Sequence, residues 1–145
     1  MWRLKNLLQS EYMRNIRFLL IQEVVGVNVD QIARYGGLHG VRDFALLDSA
    51  VNRAKVMFNG AYLYSDYCSM AAAYAHSIIK NHPFLDGNKR TGIVASMMFL
   101  AYNGFELNVS DRVLVSTSVK IAISKLSHEE LAMFFRKNVI SIDQH

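Results

Sequence analysis

Asn81-His82-Pro83-Phe84-Leu85-Asp86-Gly87-Asn88-Lys89-Arg90-Thr91 joins two stretches of helical periodicity, and its reading decides the rest of the chain. Pro83 is the only proline in the sequence, and a proline disfavours helical geometry at the residue before it. The preceding helix is therefore expected to end near Asn81, with His82 extended and accessible. Gly87 opens the next helix, whose first amides lack acceptors within the helix. Such a start is a ready anion site, and Lys89 and Arg90 add positive charge beside it.

On either side, apolar residues recur at helical spacing. Just upstream, an alanine-rich helix from about Tyr67 to Lys80 can pack closely against its neighbours. Before it, Asn59 to Asp66 carries Gly60 and the alternating Tyr62 and Tyr64, a loop or a short strand-like flap. Asp43 is placed to cap a helix with Leu46, Leu47, Ala50, Val51 and Ala54 on its repeat. Gly36-Gly37 stops a short helix over Val29 to Tyr35, and a longer one is expected from Ser10 to Val25. Downstream, Ile93 to Tyr102 reads as a helix in the middle of the core, and Phe105 to Val109 is the one other strand candidate. Two more helices follow. One has Val115, Val119, Ala122 and Leu126 on a single stripe; the other starts at a capping box, Ser127 with Glu130, and turns Leu131, Phe134 and Phe135 inward. Helices joined by short loops imply an all-α fold: a compact single-domain helical bundle over residues 1–145, with a short flap near the site.

Composition agrees with one domain. The chain has 145 residues and is 52% apolar, enough for a core without disulfides. Its single cysteine, Cys68, has no intramolecular partner and no companion nucleophile arrangement, so it reads as a small buried residue. No leader pattern opens the sequence, and Ser96 interrupts an apolar run already too short to span a bilayer. By elimination a cytoplasmic location is expected, with no membrane partner. A net charge of +4 suits an anionic partner, a nucleotide, nucleic acid or acidic protein. It suits a modestly basic solvated surface equally well, because no long Lys/Arg run is present.

The chemistry lies in the opening segment. A carboxylate at Asp86 beside an anion site makes sense if Mg²⁺ lies between, since this ion takes oxygen ligands from one or two carboxylates plus phosphates. His82 supplies an imidazole, the commonest side-chain general base, which can take a proton from an attacking hydroxyl. Singly, each residue has an ordinary reading. A His before a Pro is usually a loop residue, Asp-Gly-Asn is a common turn, and Phe84 is a core anchor. Together, base, metal carboxylate, the amides around Gly87, Asn88 and Lys89, and two cations are the equipment of phosphoryl or nucleotidyl transfer.

The run His82 to Arg90 (HPFLDGNKR) is similar to the signature of the Fic/Doc family, the filamentation-induced-by-cAMP and death-on-curing proteins. Arg34 to Asp43, Leu47-Asp48-Ser49-Ala50, the Ala-rich helix, Phe99-Leu100 and Asn103-Gly104 extend the likeness to roughly residues 10–138. The resemblance implies a helical Fic domain in which His82 is the general base and Asp86 holds Mg²⁺. It also implies an anion hole from the Gly87 backbone with Asn88, Arg90 on phosphates, and Tyr62, Leu63 and Tyr64 in the flap that holds a target peptide. Fic-type AMP transferases carry Gly where this chain has Lys89, and a second arginine where it has Ile93. Lys89 matches Doc-type toxins instead. These resemble kinases, bind the nucleotide reversed, and move the γ-phosphate of ATP to elongation factor Tu. Phosphorylation is therefore favoured over AMP transfer. Doc-like chains often carry a His where Asn28 stands, and no chemistry is placed there. The self-inhibitory pattern of many Fic proteins is absent, so control would fall to another protein, an antitoxin in the Doc-like case.

Three other readings compete. Arg34 and His39 are spaced like the pair of some small toxin ribonucleases, but Gly36-Gly37 lies between them, so nucleic acid is not the expected partner. The histidines His39, His76, His82, His128 and His145 show no metal-ligand spacing; His76 reads as mid-helix and His128 as a solvated helix start. A non-catalytic binding module is the third, and the intact set from His82 to Arg90 argues against it.

Overall fold

A computed structural model describes residues 15–142. Among them, six α-helices, one short 3-10 turn and four short strands follow in the order α1 (Ile21–Tyr35), α2 (Phe44–Asn52), the 3-10 turn (Arg53–Lys55), β1 (Met57–Phe58), β2 (Ala61–Tyr62), α3 (Tyr67–Asn81), α4 (Asn88–Tyr102), β3 (Phe105–Leu107), α5 (Asp111–Ala122), α6 (His128–Asn138) and β4 (Val139–Ser141). The architecture is all-α, as the periodicity implies.

The core is built around α3. Asp66 caps its start by accepting from the Ser69 amide at 2.6 Å. From Tyr67 to Ala75 every residue is buried, a stretch rich in alanine that lets neighbouring backbones approach. Helix α4 lies against it, and Gly92 marks the contact: a Cβ there would sit 2.8 Å from Ile79 and 3.0 Å from the Ala75 carbonyl. Phe84, Phe99, Leu100, Leu131 and Phe135 complete the centre. Fully burying one such side chain contributes about 1.5–3 kcal/mol. Cys68 is wholly buried, and burial pushes its thiol up to about 12, so it is inert packing, as expected.

Several boundaries differ from the sequence reading. The Ser10–Val25 helix and the separate Val29–Tyr35 piece are replaced by one helix, α1, that runs through Gly26. Residues 10–14 lie outside the described residues. Asn15 to Leu20 is not helical, because tertiary bonds take its amides: Arg17 donates to the Asn103 side chain at 3.0 Å and Leu19 to the Tyr74 hydroxyl at 2.9 Å. The start of α1 is fixed by Glu23, whose carboxylate accepts from the Leu20 amide at 2.8 Å. Gly36 ends α1 and Asp43 caps α2, both as read.

The Asn59–Asp66 flap holds the β2 half of a hairpin, Met57 pairing with Tyr62 and Phe58 with Ala61. Asn59 and Gly60 both have positive φ, the turn that matches the twist of its strands. Strand β3 falls inside the expected Phe105–Val109 segment, but it pairs with β4, which the sequence did not signal. On α5 the buried residues are Leu114, Thr117, Ser118 and Ile121; Val115, Val119 and Ala122 face outward. The Ser127–Glu130 capping box of α6 is present, and Leu131 and Phe135 are buried with Phe134 packed at the edge. No described helix is long and apolar enough to cross a membrane.

Candidate active site

Helix α3 ends at Asn81, and His82 closes it in the left-handed region, at φ 51° and ψ 54°. The expected extended geometry is therefore corrected. Proline disfavours the right-handed helix at His82, and the left-handed turn lets its amide still reach the Ile78 carbonyl, at 3.1 Å. A non-glycine residue pays about 1–2 kcal/mol for this conformation. It persists because neighbours fix it. Arg42 Nε donates to the His82 carbonyl at 2.7 Å and its Nη2 to that of Asn81 at 3.1 Å, while the amides of Arg42 and Asp43 both donate to Pro83. The His82 side chain is exposed, as expected.

The loop from Pro83 to Gly87 is held on three sides. Leu85 donates to Gly40 at 3.0 Å, beside an isolated antiparallel pairing of Val41 with Phe84. The Asn88 side chain clamps the turn from within, accepting from the Phe84 amide at 2.9 Å and donating to its carbonyl at 3.0 Å. Phe84 itself is buried in the core, as read. Asn88 thus offers an anion its backbone amide, because its carboxamide is already engaged.

Gly87 is the N-cap of α4, at φ 77°. A Cβ there would lie 3.1 Å from Ile32 and 3.3 Å from the Asn28 amide, so both backbone and space require glycine. With no side chain, Gly87 cannot cap, and the first amides of α4 are left for an outside acceptor. Asp86 stands just before them. Its Oδ2 accepts from the Leu38 amide at 2.7 Å, which fixes the carboxylate and leaves Oδ1 as a hard oxygen ligand. Among the described residues no three acidic, His or Cys side chains gather as a metal centre. A cation at Asp86 would therefore draw its other ligands from phosphate and water, the habit of Mg²⁺.

Arg90 reaches back to the end of α1. Its Nη2 donates to the Gly36 carbonyl at 3.2 Å and its guanidinium lies 5.1 Å from the Tyr35 ring centre. Its Nε is buried without a partner among the described residues. A buried donor left unsatisfied costs about 1–3 kcal/mol. His82, Asp86, Gly87, Asn88, Lys89 and Arg90 all line one cleft of about 290 Å³. Every residue of the segment singled out for chemistry is thus brought together.

The flap residues are not. Tyr62 packs on Phe18 with ring centres 5.6 Å apart, and Tyr64 bonds Arg53 at 2.8 Å, so only Leu63 of the three is exposed. None of them lines the cleft. Arg34 and His39 do not line it either, and Arg34 is paired with Asp30 at 2.9 Å. His128 starts its helix as read but is half-buried: Nε2 lies 2.9 Å from the Ser69 carbonyl, and its ring is 4.5 Å from that of Tyr64. His76 is half-buried mid-helix, and burial, with His128 nearby, holds its imidazole below the usual range. His145 lies outside the described residues.

Two supporting residues escaped the sequence reading. Asn28 is buried and its Nδ2 donates to the Asp86 carbonyl at 2.9 Å and to Thr91 Oγ1 at 3.1 Å, tying α1 to both ends of the anion site. The signal was an amide on the apolar repeat of Val24, Val27 and Ile32. Arg42, the anchor of His82, gives no such signal.

Over 73 residues the chain is 42% identical to Toxin Doc of Mycolicibacterium smegmatis, covering 50% of this chain and 56% of that relative. That match spans little more than half the relative's length. With Protein kinase doc of Escherichia phage P1 the identity is 27% over 124 residues, covering 84% of this chain and 95% of the other. Residues 10–100, which include the whole cleft segment and the loop that braces it, match the Fic/DOC family, and the chain belongs to that family.

Proposed function

We propose that the chain is a Doc-like toxin that transfers the γ-phosphate of ATP to a hydroxyl of a protein target. The observation that carries this reading is the uncapped start of α4. Its free amides, the anchored Asp86 carboxylate and the Arg90 side chain all border one cleft beside an exposed His82. The amides from Asn88 and the Arg90 guanidinium hold phosphate oxygens. Asp86 holds Mg²⁺, which when bound neutralises charge on the terminal phosphates. His82 accepts the proton of the target hydroxyl as its oxygen bonds to the γ-phosphorus. The bond from that phosphorus to the β–γ bridging oxygen breaks, and ADP leaves.

Lys89 is the ground for γ-transfer over AMP transfer. It is exposed on the cleft wall, where a long cation takes up room that glycine would leave as a groove. The likeness to Protein kinase doc points the same way. By the resemblance, the acceptor is elongation factor Tu and the restraining partner an antitoxin protein. The test is to incubate the protein with cell lysate and ATP labelled on the α- or the γ-phosphate. Label from the γ-position on a protein band is the expected result. Label from the α-position would replace phosphorylation by AMP transfer, and no labelled band with either would sink the transfer reading.

A further inference from the structure

Of the apolar stripe read from the sequence, Val115, Val119 and Ala122 lie on the outer face of α5, whereas Leu126 follows the helix and packs against the core. Val115 is 61% exposed, Val119 42% and the capping residue Ile123 59%, and Ala122 is exposed between them. Their spacing, i, i+4, i+7 and i+8, places them on one side of the helix. The inner side is already filled by Leu114, Thr117, Ser118 and Ile121. This outer stripe is therefore apolar surface beyond what the core uses, and Ala122 carries it onto the wall of the cleft.

Charge around the stripe is mainly positive, with Asp111 at the helix start as the one acidic side chain on α5. Arg112 lies one turn before Val115, Lys120 adjoins Val119, and Lys125 follows the helix; all three are exposed. Among the described residues none of them enters an ion pair. Residues 112–128 contain no aspartate or glutamate. An apolar ridge with three cations against one carboxylate along it is complementary to a helix that is apolar on one face and acidic on its flanks.

We propose that the outer face of α5 is a docking strip for an acidic amphipathic helix of the protein substrate, seated so that the acceptor hydroxyl is delivered to the cleft that Ala122 borders. The assignment rests on the transfer reading above and adds to it where the substrate is recognised. Binding there lowers the substrate concentration needed for transfer and leaves the chemistry at His82 untouched. Apolar contact supplies affinity, and Arg112, Lys120 and Lys125 supply orientation and a faster encounter that salt weakens.

The test uses V115D/V119D, whose positions are outward-facing and leave the core intact, beside K120E/K125E. Circular dichroism and binding of a fluorescent ATP analogue establish that both variants are folded with an unchanged cleft. Labelling of lysate proteins from γ-labelled ATP is then followed across a dilution series. V115D/V119D is expected to lose roughly tenfold or more of its labelling in dilute lysate and to recover it in concentrated lysate, a KM effect. K120E/K125E is expected to show a smaller loss with a flattened salt dependence. A short fluorescein-labelled helix, leucine on one face and glutamate on its flanks, should bind the wild type and not V115D/V119D. Equal labelling by wild type and V115D/V119D at every dilution would overturn the strip alone, whereas absence of label from the wild type would overturn the transfer reading. A wild-type dimer in sedimentation that V115D/V119D dissolves would also overturn the strip, in favour of a second copy of the chain.

Discussion

Helices α4 and α6 begin in opposite ways. At α6, Ser127 Oγ accepts from the Glu130 amide at 3.1 Å and the Glu130 carboxylate accepts from the Ser127 amide at 3.0 Å. That reciprocal pair holds the Glu130 carboxyl below its usual range. At α4, Gly87 brings no side chain at all. A missing cap forfeits about 0.5–2 kcal/mol, and α2, α3 and α5 all have one, from Asp43, Asp66 and Ser110. Leu20 of α1 likewise brings no capping oxygen, although Glu23 there accepts from the Leu20 amide; of the two uncapped starts, that of α4 lies in the cleft. A helix start that the protein finishes for itself serves the fold; one left open is set aside for something from outside.

The largest effect that would test this contrast is at the proton acceptor. His82→Ala should lower transfer by about 10²–10⁴-fold while thermal unfolding and nucleotide binding stay near wild type; full activity in the purified variant would remove His82 from the mechanism. Next is closing the open start. Gly87→Ser supplies a capping oxygen, but it must adopt a left-handed backbone at about 1–2 kcal/mol and crowd Ile32 and Asn28. ATP affinity, read by calorimetry, should fall by roughly tenfold or more; unchanged affinity would mean that the open amides are not where phosphate sits.

Asn28→Ala sharpens the same point from behind. It strips Asp86 and Thr91 of their donor in a buried place, so stability should drop by about 1–3 kcal/mol and the apparent Mg²⁺ requirement should rise. Ser127→Ala is the mirror case. It should cost about 0.5–2 kcal/mol in denaturant unfolding and leave transfer per folded molecule unchanged.

The smallest effect is with pH. Burial holds His76 below the usual histidine value, so it is neutral in the fold and gains a proton on unfolding. The unfolded chain then binds more protons, and stability rises with pH through the ordinary histidine range, near about 6.5. It falls as the solution is acidified below that value. His76→Gln should flatten the slope of melting temperature against pH there; an unchanged slope would assign it to other groups.

The segment from His82 to Arg90 was legible because its information is local. One proline, one glycine and the order of polar types dictate a helix end, a turn and a helix start in adjacent residues. What was not legible depends on distant partners. Residues 15–20 leave the helical pattern for bonds to Tyr74 and Asn103, and β3 finds β4 across two intervening helices. On α5 polarity misled. Thr117 and Ser118 are buried because their hydroxyls donate back to the Val113 and Val115 carbonyls at 2.8 and 2.7 Å, which hides the polar atom within the helix. The valines were then free to lie outside. The left-handed His82 was hidden for a related reason: its anchor, Arg42, is forty positions upstream.

The exposed turn Asn59-Gly60 sits between the two halves of this arrangement in the chain. Asn28, Leu38 and Arg42 precede it, and His82 to Arg90 follow it. A protease that nicked the hairpin there would yield one fragment holding the braces and another holding the reactive groups, neither of them a complete catalyst. Joined only by packing, the pieces would work as a complementation pair, with enzymatic output reporting whether the halves had met.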